Sequence, residues 1–171
     1  MLDTIVRYLH ESNVPFRLSS YPSPENRPAP VHAIPPHAML VDARFIAVDG
    51  RLVLACVRAG NSIDLAALGS ELGGTAVEAL PDDLPEALLQ FDGAVPPLGK
   101  LLGVPLIVDE MIEGCATLVF RGFGQSDYIE VPYDDFARLE QPRIASFARA
   151  GELEAPPAAR QQRSRGAPTS H

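Results

Sequence analysis

Arg44-Phe-Ile-Ala-Val48, then Asp49-Gly50, then Arg51-Leu-Val-Leu-Ala-Cys-Val-Arg58, is the stretch that decides the fold class. Two apolar, β-branched runs flank a dipeptide that readily takes positive φ angles, the requirement of a two-residue type I′ turn. The stretch therefore predicts a β-hairpin. Downstream, Asn61-Ser62-Ile63-Asp64 reads as a helix start with an acid in the first turn. Ile63, Leu65, Ala66, Leu68 and Leu72 continue that helix to Gly73-Gly74. Upstream, Tyr21 to Pro36 contains Pro22, Pro24, Pro28, Pro30, Pro35 and Pro36, so it reads as a loop rich in extended backbone. Before it, Leu2, Ile5, Val6 and Leu9 show the spacing of an amphipathic helix, closed by Pro15. A short strand is expected over 15–19.

Beyond the hairpin and its helix, Thr75 to Leu80 reads as a strand and Asp83 to Phe91 as a second short helix. Pro105-Leu-Ile-Val108 and Ala116-Thr-Leu-Val-Phe120 read as buried strands, and Asp127-Tyr-Ile-Glu-Val131 as a half-exposed one. Pro132 to Leu139 fits a helix with proline in its first turn. Strands interleaved with short helices, including an antiparallel hairpin, predict an α/β fold: one compact mixed β-sheet with short surrounding helices. The expected domain spans 1–150. Residues 151–171, rich in Pro, Ala, Arg and Ser, read as a disordered tail.

Composition narrows the function classes. At 171 residues, 46% hydrophobic and 21% charged, the chain can bury a sizeable core and is not of disordered type. No apolar run approaches the roughly 18 residues of a membrane span, and the start lacks a basic signal-peptide region. The expectation is a soluble cytoplasmic protein. The net charge is −8. Arg160, Arg163 and Arg165 lie in an acid-free stretch over 155–171, which leaves −11 for the rest. So acidic a body argues against unaided non-specific binding to DNA or RNA, whose affinity comes from cations on phosphate. It leaves room for one local pocket holding a nucleotide end.

Most candidate chemistry reads first as structure. His10, His32, His37 and His171 lack metal-ligand spacing, and two cysteines form neither a disulfide framework nor a zinc site, so no metal or other cofactor is expected. Cys56 and Cys115 sit in apolar runs and read as core rather than as nucleophiles. Asp82-Asp83 and Asp134-Asp135 read as helix caps. One segment stands out. Gly93-Ala-Val95-Pro96-Pro97-Leu98-Gly99 joins two glycines and two prolines between a helix and a buried strand. Prolines stiffen the loop and glycines let backbone N–H groups approach a ligand, the arrangement that a carbonyl or developing oxyanion requires. A tight structural loop is the alternative.

This loop resembles the G-x-x-P-P-x-G signature of the YbaK/ProX-type aminoacyl-tRNA editing domains, which hydrolyse mischarged tRNA. Neighbouring features follow in the family's order. Ser12-Asn13-Val14-Pro15-Phe16-Arg17-Leu18 ends the first helix, and Pro35-Pro36 precedes the hairpin. Ile63-Asp64-Leu65-Ala66-Ala67-Leu68, Pro105-Leu-Ile-Val-Asp109-Glu110, Phe120-Arg-Gly122-Phe-Gly124 and Ile129-Glu130-Val131 come next. The resemblance covers about residues 2–140. It implies a pocket for the 3′-terminal aminoacyl-adenosine of tRNA and no cofactor. Gly93 and Gly99 would belong to the catalytic loop. Val95, Pro96, Pro97, Leu98, Gly122, Gly124 and Asp109 would lie around the substrate. A synthetase partner would bring a tRNA that the acidic body repels.

The departures are specific. The family's lysine at the start of the first hairpin strand falls here on Val41, Asp42 or Ala43, and Arg44 is the nearest cation. A guanidinium is a planar fork, unlike a compact ammonium. Tyr21 stands at the position of a frequent histidine, and Phe123 at that of a glycine. Two readings follow. One is an ester hydrolase of mischarged aminoacyl-tRNA, with Arg44 in the catalytic set. The other is a catalytically silent binding or regulatory module that reuses the pocket.

Overall fold

The computed structural model describes residues 2–20, 38–91, 95–122 and 127–150. The proline-rich segment 21–37 with Tyr21, His32 and His37, and likewise Gly93, Phe123, Gly124 and 151–171, lie outside the described residues.

The chain runs α1 (Leu2–Glu11), β1 (Arg17–Ser20), β2 (Ala38–Val48), β3 (Arg51–Arg58), β4 (Ser62–Ile63), α2 (Leu65–Leu72) and β5 (Ala76–Glu78). It continues through α3 (Glu86–Leu89), α4 (Gly99–Leu102), β6 (Leu106–Asp109), β7 (Thr117–Arg121), β8 (Asp127–Pro132), α5 (Tyr133–Glu140), β9 (Arg143–Ala145) and β10 (Ala148–Arg149). The hairpin forms as expected: Val48 pairs with Arg51 around Asp49 (φ 49°) and Gly50 (φ 82°), both left-handed. The Asp49 carboxylate also accepts the Thr75 N–H at 3.0 Å, which ties the turn to the segment entering β5.

The main sheet is mixed, in the order β1-β8-β7-β2-β3-β6-β9, with β5 as an extra neighbour of β2. Along β2–β3–β6, alternate residues serve two apolar clusters. Phe45, Leu54, Cys56, Leu106 and Val108 face Ile5 and Leu9 of α1 and Phe136 of α5. Ile46, Ala55, Val57 and Ile107 face Leu68 of α2. Both faces of this part of the sheet are covered, which is why its strands read as near-continuous apolar runs. Among the described residues, no helix is long and apolar enough to cross a membrane.

Three local expectations need correction. β2 begins at Ala38, well before Arg44, because 38–40 pair in parallel with β7, a partner distant in sequence. Ile63 belongs to β4, where it pairs with Ala148, and the helix starts two residues later, at Leu65. Asp64 is the cap, accepting the Ala67 N–H at 3.1 Å, and left-handed Gly73 ends the helix. The expected helix over 83–91 divides into a 3₁₀ turn at Pro81–Asp83 and the single turn α3. The cause is Pro85, which pushes Leu84 out of the helical region, to φ −94° and ψ 138°. Asp83 caps as expected, accepting the Leu80 N–H at 2.8 Å.

Candidate functional site

One edge of β2 pairs with β3 over 41–48. The opposite edge is shared: β7 takes 38–40 and β5 takes 46–48. Between those two neighbours lies a gap of five residues, 41–45. The exit of β5 closes one end through the Ala79 N–H on the Phe45 carbonyl, 3.1 Å. The glycine–proline loop enters the middle, where Val95 forms an isolated antiparallel bridge with Ala43. A cleft of about 450 Å³ remains. That volume lies within the range of about 300–1,000 Å³ typical of small-molecule sites.

The cleft is built from three places. β2 supplies Asp42, Arg44 and Phe45, and the end of β7 supplies Arg121. The excursion from β5 to the loop supplies Glu78 and an apolar wall that includes Leu84, Phe91 and Val95. Of the three positions on which the family's lysine falls, Asp42 borders the cleft. Val41 and Ala43 are buried in the core cluster. Arg44 also borders it, but its Nη1 donates to Glu78 Oε1 at 3.1 Å, a pair whose side chains are each 60% exposed. Asp42 and Arg121 make no side-chain hydrogen bond or ion pair among the described residues, and Arg121 Nε is closed to solvent without an acceptor there.

The structure places the remaining described sequence-predicted residues in four settings. Val95 lines the cleft. Pro96, Pro97, Leu98 and Gly99 are buried behind it, with Leu98 fully inside the α1–α5 cluster. Gly99 opens α4 at a close approach to the segment entering β6. A Cβ there would lie 2.5 Å from the Val104 carbonyl oxygen and 2.9 Å from Leu106 Cβ. Its φ is not in the left-handed region, so space rather than backbone conformation calls for glycine. Gly122 is buried beside Arg121, its N–H donating to the Asp127 carbonyl at 2.9 Å. Asp109 stands apart from the cleft. Its Oδ1 accepts the N–H groups of Phe147 (2.9 Å) and Ala148 (3.0 Å), and its Oδ2 that of Met111 (3.1 Å). Two of these bonds fasten the end of β6 to the segment after β9, and the third caps the turn that follows β6, an architectural role.

Three groups behind the site have shifted acidities. Cys56 is completely buried; burial pushes its thiol well up, and the Asp42 carboxylate adds to the effect. It remains a neutral core thiol. Burial likewise raises half-buried Cys115. Glu140, at the end of α5, is buried against the start of α4. Its carboxylate accepts the Lys100 N–H at 3.1 Å and the Tyr8 hydroxyl at 3.0 Å, holding the exit of the glycine–proline loop against α1. Burial raises the Glu140 pKa above the usual carboxylate value, with the two hydrogen bonds opposing that shift. Sequence reading missed Asp42 as a cleft residue in its own right, and it missed Arg121 and Glu140 altogether. Arg121 carried one signal, a charge directly after the apolar run Thr117-Leu-Val-Phe120.

The family model of the aminoacyl-tRNA editing domain matches residues 31–139. Comparison with curated proteins finds no match. Among solved structures, one of a proposed trans-editing enzyme for prolyl tRNA synthetase superposes with a TM-score of 0.68 at 18% identity. That match covers 86% of this chain and 96% of that one. A proposed signal transduction protein from Marinobacter aquaeolei VT8 gives 0.67 at 20% identity over 85% of this chain. This chain spans 30% of that longer protein. A hypothetical protein gives 0.67 at 13% identity, covering 85% and 99% of the two chains. At these identities the structural likeness speaks for the fold.

Proposed function

Given that the chain belongs to the aminoacyl-tRNA editing domain family, we propose that the cleft on the open edge of β2 receives the 3′-terminal aminoacyl-adenosine of a tRNA and that the domain hydrolyses its ester. The observation that carries this reading is the bridge between Ala43 and Val95. It brings the glycine–proline loop to the stretch of β2 where the family resemblance locates its cation, with a cleft of small-molecule size beside it. In the reaction a water oxygen attacks the ester carbonyl carbon and the bond to the ribose oxygen breaks. The displaced ribose oxygen takes up a proton, leaving a free amino acid and an uncharged tRNA end. The protein's part is to orient the ester and to stabilise the oxyanion that forms.

At the position expected for the family's cation, the cleft offers no uncommitted positive charge for that task. Asp42 borders it near the expected ammonium, and Arg44 is paired with Glu78. The proposed rate is therefore slow, and this charge pattern supports the second reading: a module that holds the aminoacyl end without turning it over. The acidic body fits delivery of the tRNA by a synthetase. A deacylation screen with a panel of mischarged tRNAs, paired with binding measurements, separates the outcomes. Turnover above the spontaneous rate supports the hydrolase, and binding without turnover supports the silent module. Neither binding nor turnover on any tRNA overturns both.

A further inference from the structure

The four charged groups of the cleft are not equally available. Arg44 and Glu78 neutralise each other, so turning Arg44 toward a ligand breaks an existing ion pair. Arg121 has no such commitment among the described residues. Its Nε is shut off from water with no acceptor there, a donor that has been desolvated without compensation. Swinging its fork to meet an oxygen in the cleft gains a charge-assisted bond and gives none up. The surroundings say which part of a ligand that oxygen belongs to. Phe45, Leu84, Phe91 and Val95 form an apolar wall suited to a short aliphatic stem. Asp42, also uncommitted among the described residues, supplies a carboxylate for an ammonium. A cation site, an apolar wall and a buried oxygen-seeking donor together match an amino acid whose side chain ends in a carboxylate or carboxamide.

We infer that Arg121 makes this cleft select amino acids with a side-chain acceptor oxygen over aliphatic ones of the same shape. The inference rests on the aminoacyl-end reading above and adds the class of amino acid. Leucine, asparagine and aspartate have the same branched outline and differ in that oxygen, so they isolate the contribution. A hydrogen-bonding site rejects an analogue lacking the group because its own buried donor is then left unpaired.

The test uses the full chain and non-hydrolysable 3′-amide analogues of aspartyl-, asparaginyl- and leucyl-adenosine, with affinities from titration calorimetry. The expected result is that the aspartyl and asparaginyl analogues bind about ten-fold or more tighter than the leucyl analogue. In Arg121→Met, which keeps an unbranched stem, the gap should close to within about two-fold; Arg121→Lys, which keeps the charge but loses the fork, should fall between. Thermal melts of both variants establish that they are folded. Equal binding of all three analogues by the natural chain overturns the selectivity while leaving the aminoacyl-end reading standing. A gap that survives in a folded Arg121→Met also overturns it. Failure of every analogue to bind overturns both readings.

Discussion

Replacing Gly99 by alanine tests whether this loop glycine serves packing or ligand approach. The added Cβ would stand 2.5 Å from the Val104 carbonyl oxygen, against the 3.4 Å at which ordinary contact begins, a shortfall of about 0.9 Å. It would also stand 2.9 Å from Leu106 Cβ. Neither neighbour yields easily. Leu106 is in register with Leu54 in the β3–β6 ladder, and the Leu54 N–H is held by the Pro105 carbonyl at 2.8 Å. Overpacking against such a frame costs about 1–3 kcal/mol. The better helix propensity of alanine at the first position of α4 returns only part of that, at most about 1 kcal/mol. For a domain of this size each kcal/mol moves the melting temperature by about 2–4 °C. The expected drop is therefore roughly 2–10 °C, read by circular-dichroism melting and checked by urea unfolding at constant m. The same variant, measured well below its melting point, should keep its affinity for an aminoacyl-adenosine amide, because Gly99 lies behind the cleft wall. An unchanged melting temperature would refute the packing argument. Lost binding at full stability would return Gly99 to the ligand.

Three further outcomes follow from the same geometry. Asp42→Lys exchanges the carboxylate that would hold the substrate ammonium for a cation, so it should weaken binding of an aminoacyl-adenosine amide while raising the saturated single-turnover deacylation rate by about ten-fold or more, roughly 1.4 kcal/mol of barrier. Lysine at Val41 or Ala43 should instead lower the melting temperature, since both are buried in the core; a rate that stays flat in Asp42→Lys would rule out a need for that cation. Arg44→Ala breaks only an exposed ion pair and should cost no more than about 1 kcal/mol. Any loss of deacylation in that variant then belongs to chemistry, and a large loss of stability would show that the pair has been undervalued. Glu140→Gln should keep the Lys100 N–H on its amide oxygen, donate its amide N–H to the Tyr8 oxygen in place of accepting the hydroxyl, and remove the buried charge. The folded-state value of Glu140 lies above the unfolded one, so its contribution is fully present below about pH 4.3 and is lost as pH rises through the raised value. The Gln variant should accordingly gain on the natural chain as pH rises from 4 to 8 in urea titrations. A constant difference across that interval would contradict the assignment.

What the sequence by itself determined is local. Asp49-Gly50 closes the hairpin because that dipeptide takes left-handed angles cheaply, and the structure shows both residues there. The Leu2/Ile5/Leu9 stripe makes α1, and Asp64 and Gly73 cap α2 through bonds to residues three or four positions away. Each of these signals acts within one turn of helix or one turn of chain, so it can be read along the sequence. The alternation of Phe45/Ile46 and Leu54/Ala55, by contrast, is hidden in the sequence: both faces are buried, and an apolar run shows no phase until something packs on each side. What only the tertiary structure decided depends on partners far away in the chain. β2 extends back to Ala38 because β7 pairs with it, and β9 exists because β6 offers an edge. Asp109 looked like a ligand candidate at a strand end and is instead consumed by the N–H groups of Met111, Phe147 and Ala148. Asp42 rather than Val41 or Ala43 borders the cleft because strand register sets which side chains turn inward. Arg121, nearly 80 residues away, joins Asp42 there because β7 and β5 leave five residues of one β2 edge unpaired. A gap in a sheet is a property of pairing between distant strands, and no spacing along one strand records it.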